Sequence, residues 1–273
     1  MSRQRQAPLV TLVEMARPLV GYAADFPAGH QIRRHRHAAA QLIYASRGVM
    51  TVTTAAGRWV VPPQRAVWVP PLVPHAIRMT GAVHMRTLYL DPGALADPPR
   101  ACTVVHVSPL LRELILRAVG FAQPYPRDGR EARLAAVLID ELATAHAAPL
   151  HLPMPRDRRA LIVADHLVAH PGDTRALAAW SREAGASART LARLFDRETG
   201  LGFARWRQQA RLLRGLELLA AGEPVTAVAL ELGYEGPSAF IAMFRASLGA
   251  TPGRYFSAPE SAARRGRAAR RRR

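Results

Sequence analysis

Three histidines and a glutamine have the spacing best suited to chemistry. His35 and His37 stand two residues apart, so within a strand both imidazoles point to one face. Two neutral imidazoles so placed can converge on one metal ion. Gln41 follows four residues on, and a third histidine, His75, ends the turn Pro70-Pro-Leu-Val-Pro-His75. A neutral amide is a weak ligand, so the expected set is three histidines completed by water. That set suits divalent zinc, nickel, cobalt, iron or copper. The same residues could instead hydrogen-bond around an empty pocket that takes a small molecule. His30, His84 and His106 read as ordinary surface or barrel residues, and Trp59 and Trp68 read as core.

A sheet must position these groups. Ahead of residue 109, short apolar or β-branched runs (41–46, 49–54, 59–61, 66–69, 85–90 and 104–107) alternate with Gly and Pro punctuation. Such spacing predicts an antiparallel sandwich or barrel, with Ala55–Ala56–Gly57 as a hairpin loop. The period then changes. Ser108–Pro109 supplies a cap and a first helical residue, and Leu110, Leu111, Leu114, Ile115, Ala118 and Val119 recur at helical spacing. A second amphipathic helix is expected from about Arg130 to Ala147. Residues 109–148 are therefore the candidate dimerisation region, unless both helices pack on the outside of their own barrel. Pro149, Pro153 and Pro155 mark 149–156 as a linker.

From residue 157 the pattern is helical and contains a duplication. Leu191-Ala-Arg-Leu-Phe195-Asp-Arg-Glu-Thr-Gly200 matches Phe240-Ile-Ala-Met-Phe244-Arg-Ala-Ser-Leu-Gly249 in its apolar, Phe and Gly positions. Each copy follows a short apolar helix that ends in glycine, at Gly185 and Gly233. Short helix, glycine turn and second helix form the helix-turn-helix pattern. The stretch Phe203–Ala221 between the copies is long enough for one rigid connecting helix.

Residues 157–257 resemble the DNA-binding domain of the AraC/XylS family of bacterial transcription regulators. The resemblance runs without a gap through Ser187, Leu191, Arg193, Phe195, Gly200, Arg211, Leu219, Val228, Ala229, Gly233, Tyr234, Ser238, Phe240, Phe244, Gly249, Pro252 and Tyr255. Trp180–Ser181 departs from the family's aliphatic–Ala pair, which bears on packing of the first unit. The resemblance implies that positions 189, 192 and 193 face the DNA groove. With Leu191, Leu194 and Phe195 inward, Arg189, Thr190, Ala192, Arg193 and Arg197 are left for the DNA side. The second helix offers Ser238, Ile241, Ala242 and Arg245, a less polar set suited to apolar contact and shape. In the N-terminal part, Gly29-x5-His35-x-His37-x3-Gln41-x6-Gly48 and Pro70–His75 resemble the two cupin motifs. Those motifs imply a metal-binding barrel, but Gln41 stands where a glutamate is usual and Leu72 where a glycine is usual.

The charge fits a polyanion partner. The chain has 273 residues, about two domains at roughly 150 residues each. Its net charge is +18 and the 38 basic residues are all arginine. Seven arginines fall within 258–273 against one acid, Glu260, too dense a run to fold, and this reads as a disordered arm. One cysteine, Cys102, excludes a disulfide framework and a Cys-rich zinc module. No run approaches the roughly 18 apolar residues of a membrane span, so a cytoplasmic protein without a membrane partner is expected.

The organisation expected is a cupin-like all-β sensor (1–108), two helices (109–148), a linker (149–156), an all-α double helix-turn-helix domain (157–257) and a tail (258–273). That organisation reads as a sequence-specific regulator of double-stranded promoter DNA, a homodimer, with a small-molecule or metal effector and a contact to RNA polymerase. The competing reading is a metal-dependent cupin enzyme, an isomerase or dioxygenase. The missing glutamate at position 41 counts against it, and no enzymatic role is expected.

Overall fold

The computed structural model describes residues 15–148 and 150–257, so the arginine run of 258–273 lies outside the described residues. The strands are β1 (Leu19–Phe26), β2 (Gln31–His35), β3 (Ala40–Thr54), β4 (Gly57–Val61), β5 (Arg65–Val69), β6 (His75–Leu90), β7 (Thr103–His106) and β8 (His151–Pro153). They form one antiparallel sheet whose spine is the pairing of β3 with β6. β6 also carries β1 and β2, while β3 carries β4 and β5. Thr54 pairs with Gly57, which leaves Ala55–Ala56 as the turn of the expected hairpin.

The two runs that read as separate strands at 41–46 and 49–54 are one bent strand. The β3–β6 register shifts between Ala45 and Val49, where Gly48 has φ +78°. A Cβ at Gly48 would lie 2.4 Å from the Ala82 carbonyl oxygen, so backbone conformation and close crossing both demand glycine. The bend lets one strand serve two parts of the sheet. β1 and β2 lacked a clean hydrophobic alternation, since β2 reads Gln-Ile-Arg-Arg-His.

Both faces of the first half of β3 are buried, from Ala40 to Ala45. The outer face is covered by α1 (Pro109–Ala118) and α2 (Arg130–Ala143). Ser108 caps α1 by accepting a hydrogen bond from Leu111 N at 3.0 Å. Leu111, Leu114, Ile115 and Leu138 join Leu42, Tyr44, Trp68 and Leu88 in one apolar cluster. Each such side chain contributes about 1.5–3 kcal/mol on burial, which holds the helices to their own sheet. Leu110 and Val137 stay at the surface, 52% and 44% exposed.

The C-terminal half is helical: α3 (Arg158–Ala169), a 3-10 turn (Leu177–Trp180) leading into α4 (Ser181–Ala184), α5 (Ala188–Thr199), α6 (Phe203–Ala221), α7 (Val225–Glu231), α8 (Pro237–Leu248) and α9 (Pro252–Ser257). Trp180, Leu191, Leu194 and Phe195 of the first unit, Trp206 of α6, and Val228, Leu232, Phe240 and Phe244 of the second are buried in one continuous apolar cluster. Trp180, the departure from the family pattern, is fully buried, with the Arg175 guanidinium 3.7 Å over its ring. In mid-α6, Gly215 lets Phe240 of α8 approach, since a Cβ there would meet the ring at 3.0 Å.

The proline-rich segment is held at both sides. His151–Pro153 forms β8 against β4, and the Trp206 indole N–H donates to the Pro153 carbonyl at 2.7 Å. Prolines withhold donors but leave carbonyls free, so an edge strand and a helix can both use this segment. α6 thereby lies against the sheet. Thr51 of β3 donates its hydroxyl hydrogen bond to Glu217 of α6 at 2.5 Å, and Arg214 and Arg78 stand 3.4 and 4.0 Å from the other carboxylate oxygen. A cavity of about 570 Å³ opens beside this contact, lined by Arg58, Arg78, Asp165, Arg214 and Glu217 among others.

Candidate DNA-reading surface and histidine centre

Two helix-turn-helix units share α6. In the first, Gly185 takes φ +62° between α4 and α5, and Ser187 caps α5 by accepting from Thr190 N at 3.2 Å. Leu191, Leu194 and Phe195 point inward, while Arg189, Ala192, Arg193 and Arg197 are exposed and Thr190 is half-buried. Among the described residues, neither Arg189 nor Arg193 forms an ion pair. Arg197 differs, because its guanidinium binds Glu198 at 2.9 Å. The other Glu198 oxygen accepts from Arg156 N and Asp157 N at 2.8 and 2.9 Å, so Arg197 also braces the entry to α3.

In the second unit, Gly233 takes φ +76° and Pro237 opens α8. Phe240 and Phe244 are buried; Ser238, Ala242 and Arg245 are exposed, and Ile241 is half-buried. Arg211, which matches the family pattern, is a strut. Its Nε donates to the Pro171 carbonyl at 3.0 Å and its guanidinium lies 5.5 Å from the Tyr234 ring centroid. Burial lowers its pKa.

His35, His37 and His75 come together, but not as two histidines on one strand face: His35 ends β2, His75 opens β6, and His37 lies in the connection between β2 and β3. His35 and His75 pair across β2 and β6, and Leu72 N donates to the His37 carbonyl at 2.8 Å, tying the second motif to the first. Leu72 holds φ +62°, so the glycine conformation of the motif persists without the glycine. Each histidine places Nδ1 against a backbone carbonyl: Arg33 at 2.8 Å, Ala39 at 2.7 Å and Val73 at 2.9 Å. A carbonyl only accepts, so each Nδ1 carries the proton and each Nε2 is left with a lone pair. The Gln41 amide oxygen stands 3.0 Å from His37 Nε2 and 3.1 Å from His75 Nε2. Its amide nitrogen donates to Thr87 Oγ1 at 2.9 Å, and Thr87 donates to the Leu42 carbonyl at 3.0 Å.

The Nε2 lone pairs of His37 and His75 therefore face the Gln41 amide, which can meet a cation between them with its oxygen or meet the lone pairs with its NH2 group. The ligand atoms of the three histidines lie within 4.8 Å of one another. Ligands about 2.1 Å from a tetrahedral ion would sit about 3.4 Å apart, so the residues fit a divalent metal after a small contraction. Burial lowers the pKa of His75 from 6.5 to about 4. The fold thus favours its neutral form. Stability that is fully present above pH 6.5 should fall as pH drops towards 4, because the unfolded chain takes up that proton first. Urea midpoints of metal-free protein across this window test the point; a His75→Gln variant should lose much of the slope.

Comparison with known proteins bears on both regions. A model of the AraC-like ligand binding domain matches residues 18–152, and a helix-turn-helix domain model matches residues 180–258. The HTH-type transcriptional regulator NimR of Escherichia coli K12 is 39% identical over 223 residues, covering 82% of this chain and 81% of that protein. The chain belongs to the AraC family of transcriptional regulators. It has that family's two parts, an N-terminal ligand-binding domain and a C-terminal helix-turn-helix DNA-binding domain. A second relative, the HTH-type transcriptional regulator RipA of Corynebacterium glutamicum, is 37% identical over 103 residues, 38% of this chain and 31% of that one. The structure of ToxT from Vibrio cholerae aligns over 88% of this chain and 95% of that chain, with 9% identity and a TM-score of 0.38.

Two features of this AraC-type regulator escaped the sequence reading. Thr87 orients Gln41 from 46 positions away, and a lone threonine in a strand gives no signal of that role. Glu217 reads as one more charge on a helix, yet it is buried against Thr51 of the sheet.

Proposed function

We propose that this regulator sets α5 and α8 into successive major grooves of double-stranded promoter DNA, under control of an effector bound at the histidine centre. The carrying observation is the connecting helix. α6 has 19 residues, about 28 Å at 1.5 Å per residue, and both units pack on this one continuous helix. Successive grooves on one face of DNA lie about 34 Å apart.

Arg189 and Arg193 are assigned to guanine edges, since unpaired guanidinium groups can bind O6 and N7 together. Ile241 and Ala242 are assigned to thymine methyl groups. Thr190, Arg197, Ser238 and Arg245 are assigned to phosphates, with Arg197 also retaining its brace on Glu198. A divalent metal would be held by the Nε2 atoms of His35, His37 and His75, where it would act as a Lewis acid towards an effector. Among the described residues this centre contains no carboxylate, which favours sensing over acid–base catalysis. An effector changes DNA affinity only if it prefers one domain or dimer state, and the exposed α1–α2 surface at Leu110 and Val137 is the proposed homodimer seam. The setting is the cytoplasm, with RNA polymerase as a further partner; among the described residues no helix is long and apolar enough to cross a membrane.

Hydroxyl-radical footprinting of the full chain on DNA from upstream of its own gene tests the reading. Each protomer should protect two patches one helical turn apart on one face. A single patch per protomer would contradict it.

A further inference from the structure

We propose that Gln41 is the switching ligand of a reversible divalent-metal site. With metal present, its amide oxygen completes the coordination by His35, His37 and His75. With metal absent, the amide turns over and its NH2 group closes the site on His37 and His75. The proposal rests on the histidine centre being the effector site.

The geometry permits both states with the heavy atoms nearly in place. Rotation of the terminal amide by half a turn exchanges oxygen and nitrogen at the same positions. The nitrogen then stands 3.0 and 3.1 Å from two Nε2 lone pairs, within reach of a donor with two hydrogens. Thr87 accommodates either state by rotating its hydroxyl. It accepts from the amide nitrogen while donating to Leu42 in one state, and donates to the amide oxygen in the other. The histidines need not change, because their Nδ1 protons stay on backbone carbonyls throughout.

This explains why a glutamine serves where the resembling motif has glutamate. Gln41, His75 and Thr87 are all buried. A carboxylate at position 41 would hold metal tightly, but in an empty site it has no N–H to give the two Nε2 lone pairs and would set a buried anion against them. A glutamine is satisfied either way. Weak ligation and a stable empty form are what a sensor requires and a resident cofactor site does not.

The test uses the full-length, chelator-stripped chain, titrated with Co²⁺ and followed by its visible ligand-field absorption, with Zn²⁺ as competitor. Wild type should bind, and His75→Ala should bind at least about 100-fold more weakly. Thr87→Val is expected to weaken binding about 10-fold although Thr87 is a positioning residue that touches no metal, and Thr87→Ser should restore it. Gln41→Glu should bind more tightly. Its stripped form should melt below stripped wild type, and Co²⁺ should close that gap. No Co²⁺ signal in wild type, unchanged affinity in both Gln41→Ala and Thr87→Val, or a stripped Gln41→Glu as stable as stripped wild type would each overturn the proposal. Operator binding by stripped wild type separates the two levels. Specific binding without any Co²⁺ binding refutes the switch and leaves the DNA-binding reading intact. Intact Co²⁺ binding with no operator discrimination refutes that reading alone.

Discussion

Replacing Arg189 and Arg193 by alanine should sharply reduce discrimination between operator and scrambled DNA while the protein stays folded. Both side chains are exposed and without ion-pair partners among the described residues, so their removal should change stability by less than about 0.5 kcal/mol. A bidentate arginine–guanine contact contributes about 1–3 kcal/mol of discrimination, or roughly 5- to 150-fold. Arg193→Ala alone should therefore cost that factor on operator DNA, and the double variant roughly its square. Affinity for scrambled DNA should change far less, because the remaining arginines still meet phosphates. Ser238→Ala on α8 should have a smaller effect than either. Fluorescence anisotropy at fixed salt on both DNAs measures each value. An Arg193→Ala protein with full discrimination would remove this residue from base reading.

The second large effect should come from the hub of α6. Trp206 is fully buried, stands edge-on to Phe195 at 5.2 Å between ring centroids, and donates to Pro153 at 2.7 Å. Trp206→Ala removes packing from the first helix-turn-helix core and leaves a cavity, at a cost of about 3–5 kcal/mol. Trp206→Phe keeps much of the apolar surface but removes the hydrogen bond and part of the ring volume, and should cost less than the alanine variant. Because β8 and α6 share this contact, the alanine variant should also loosen the β4–β8 edge. Urea denaturation gives the first quantity, and hydrogen exchange at Val60, whose N–H donates to the Leu150 carbonyl at 3.2 Å, gives the second. An unchanged midpoint in Trp206→Ala would contradict the hub role.

The sequence carried unequal amounts of these results. α1, α5, α6 and α8 were legible because caps, glycine stops and apolar periodicity agree with one another. Ser108, Ser187, Gly200 and Gly249 stand where the helices begin or end. The histidine pair was legible from its spacing but not for the reason strand period gives, because β2 ends at His35 and His37 sits in the connection to β3, held by the Ala39 carbonyl and by Leu72 N. The bend at Gly48 was not, since two strands separated by a turn and one bulged strand have the same pattern. Nor was the fixed course of 151–153, because proline-rich composition says nothing of carbonyls that another element recruits. Two tertiary partners, Thr87 for Gln41 and Thr51 for Glu217, leave no local trace at all.

The central claim is that the paired units read sequence, and the ratio of dissociation constants for scrambled over operator DNA tests it most directly. Measured by anisotropy on the wild-type chain across a salt series, that ratio should be at least about 1,000 and should hold as both affinities fall with salt. A ratio near one at every salt concentration would mean that arginine charge alone drives binding, and the account of α5 and α8 as readers would fail.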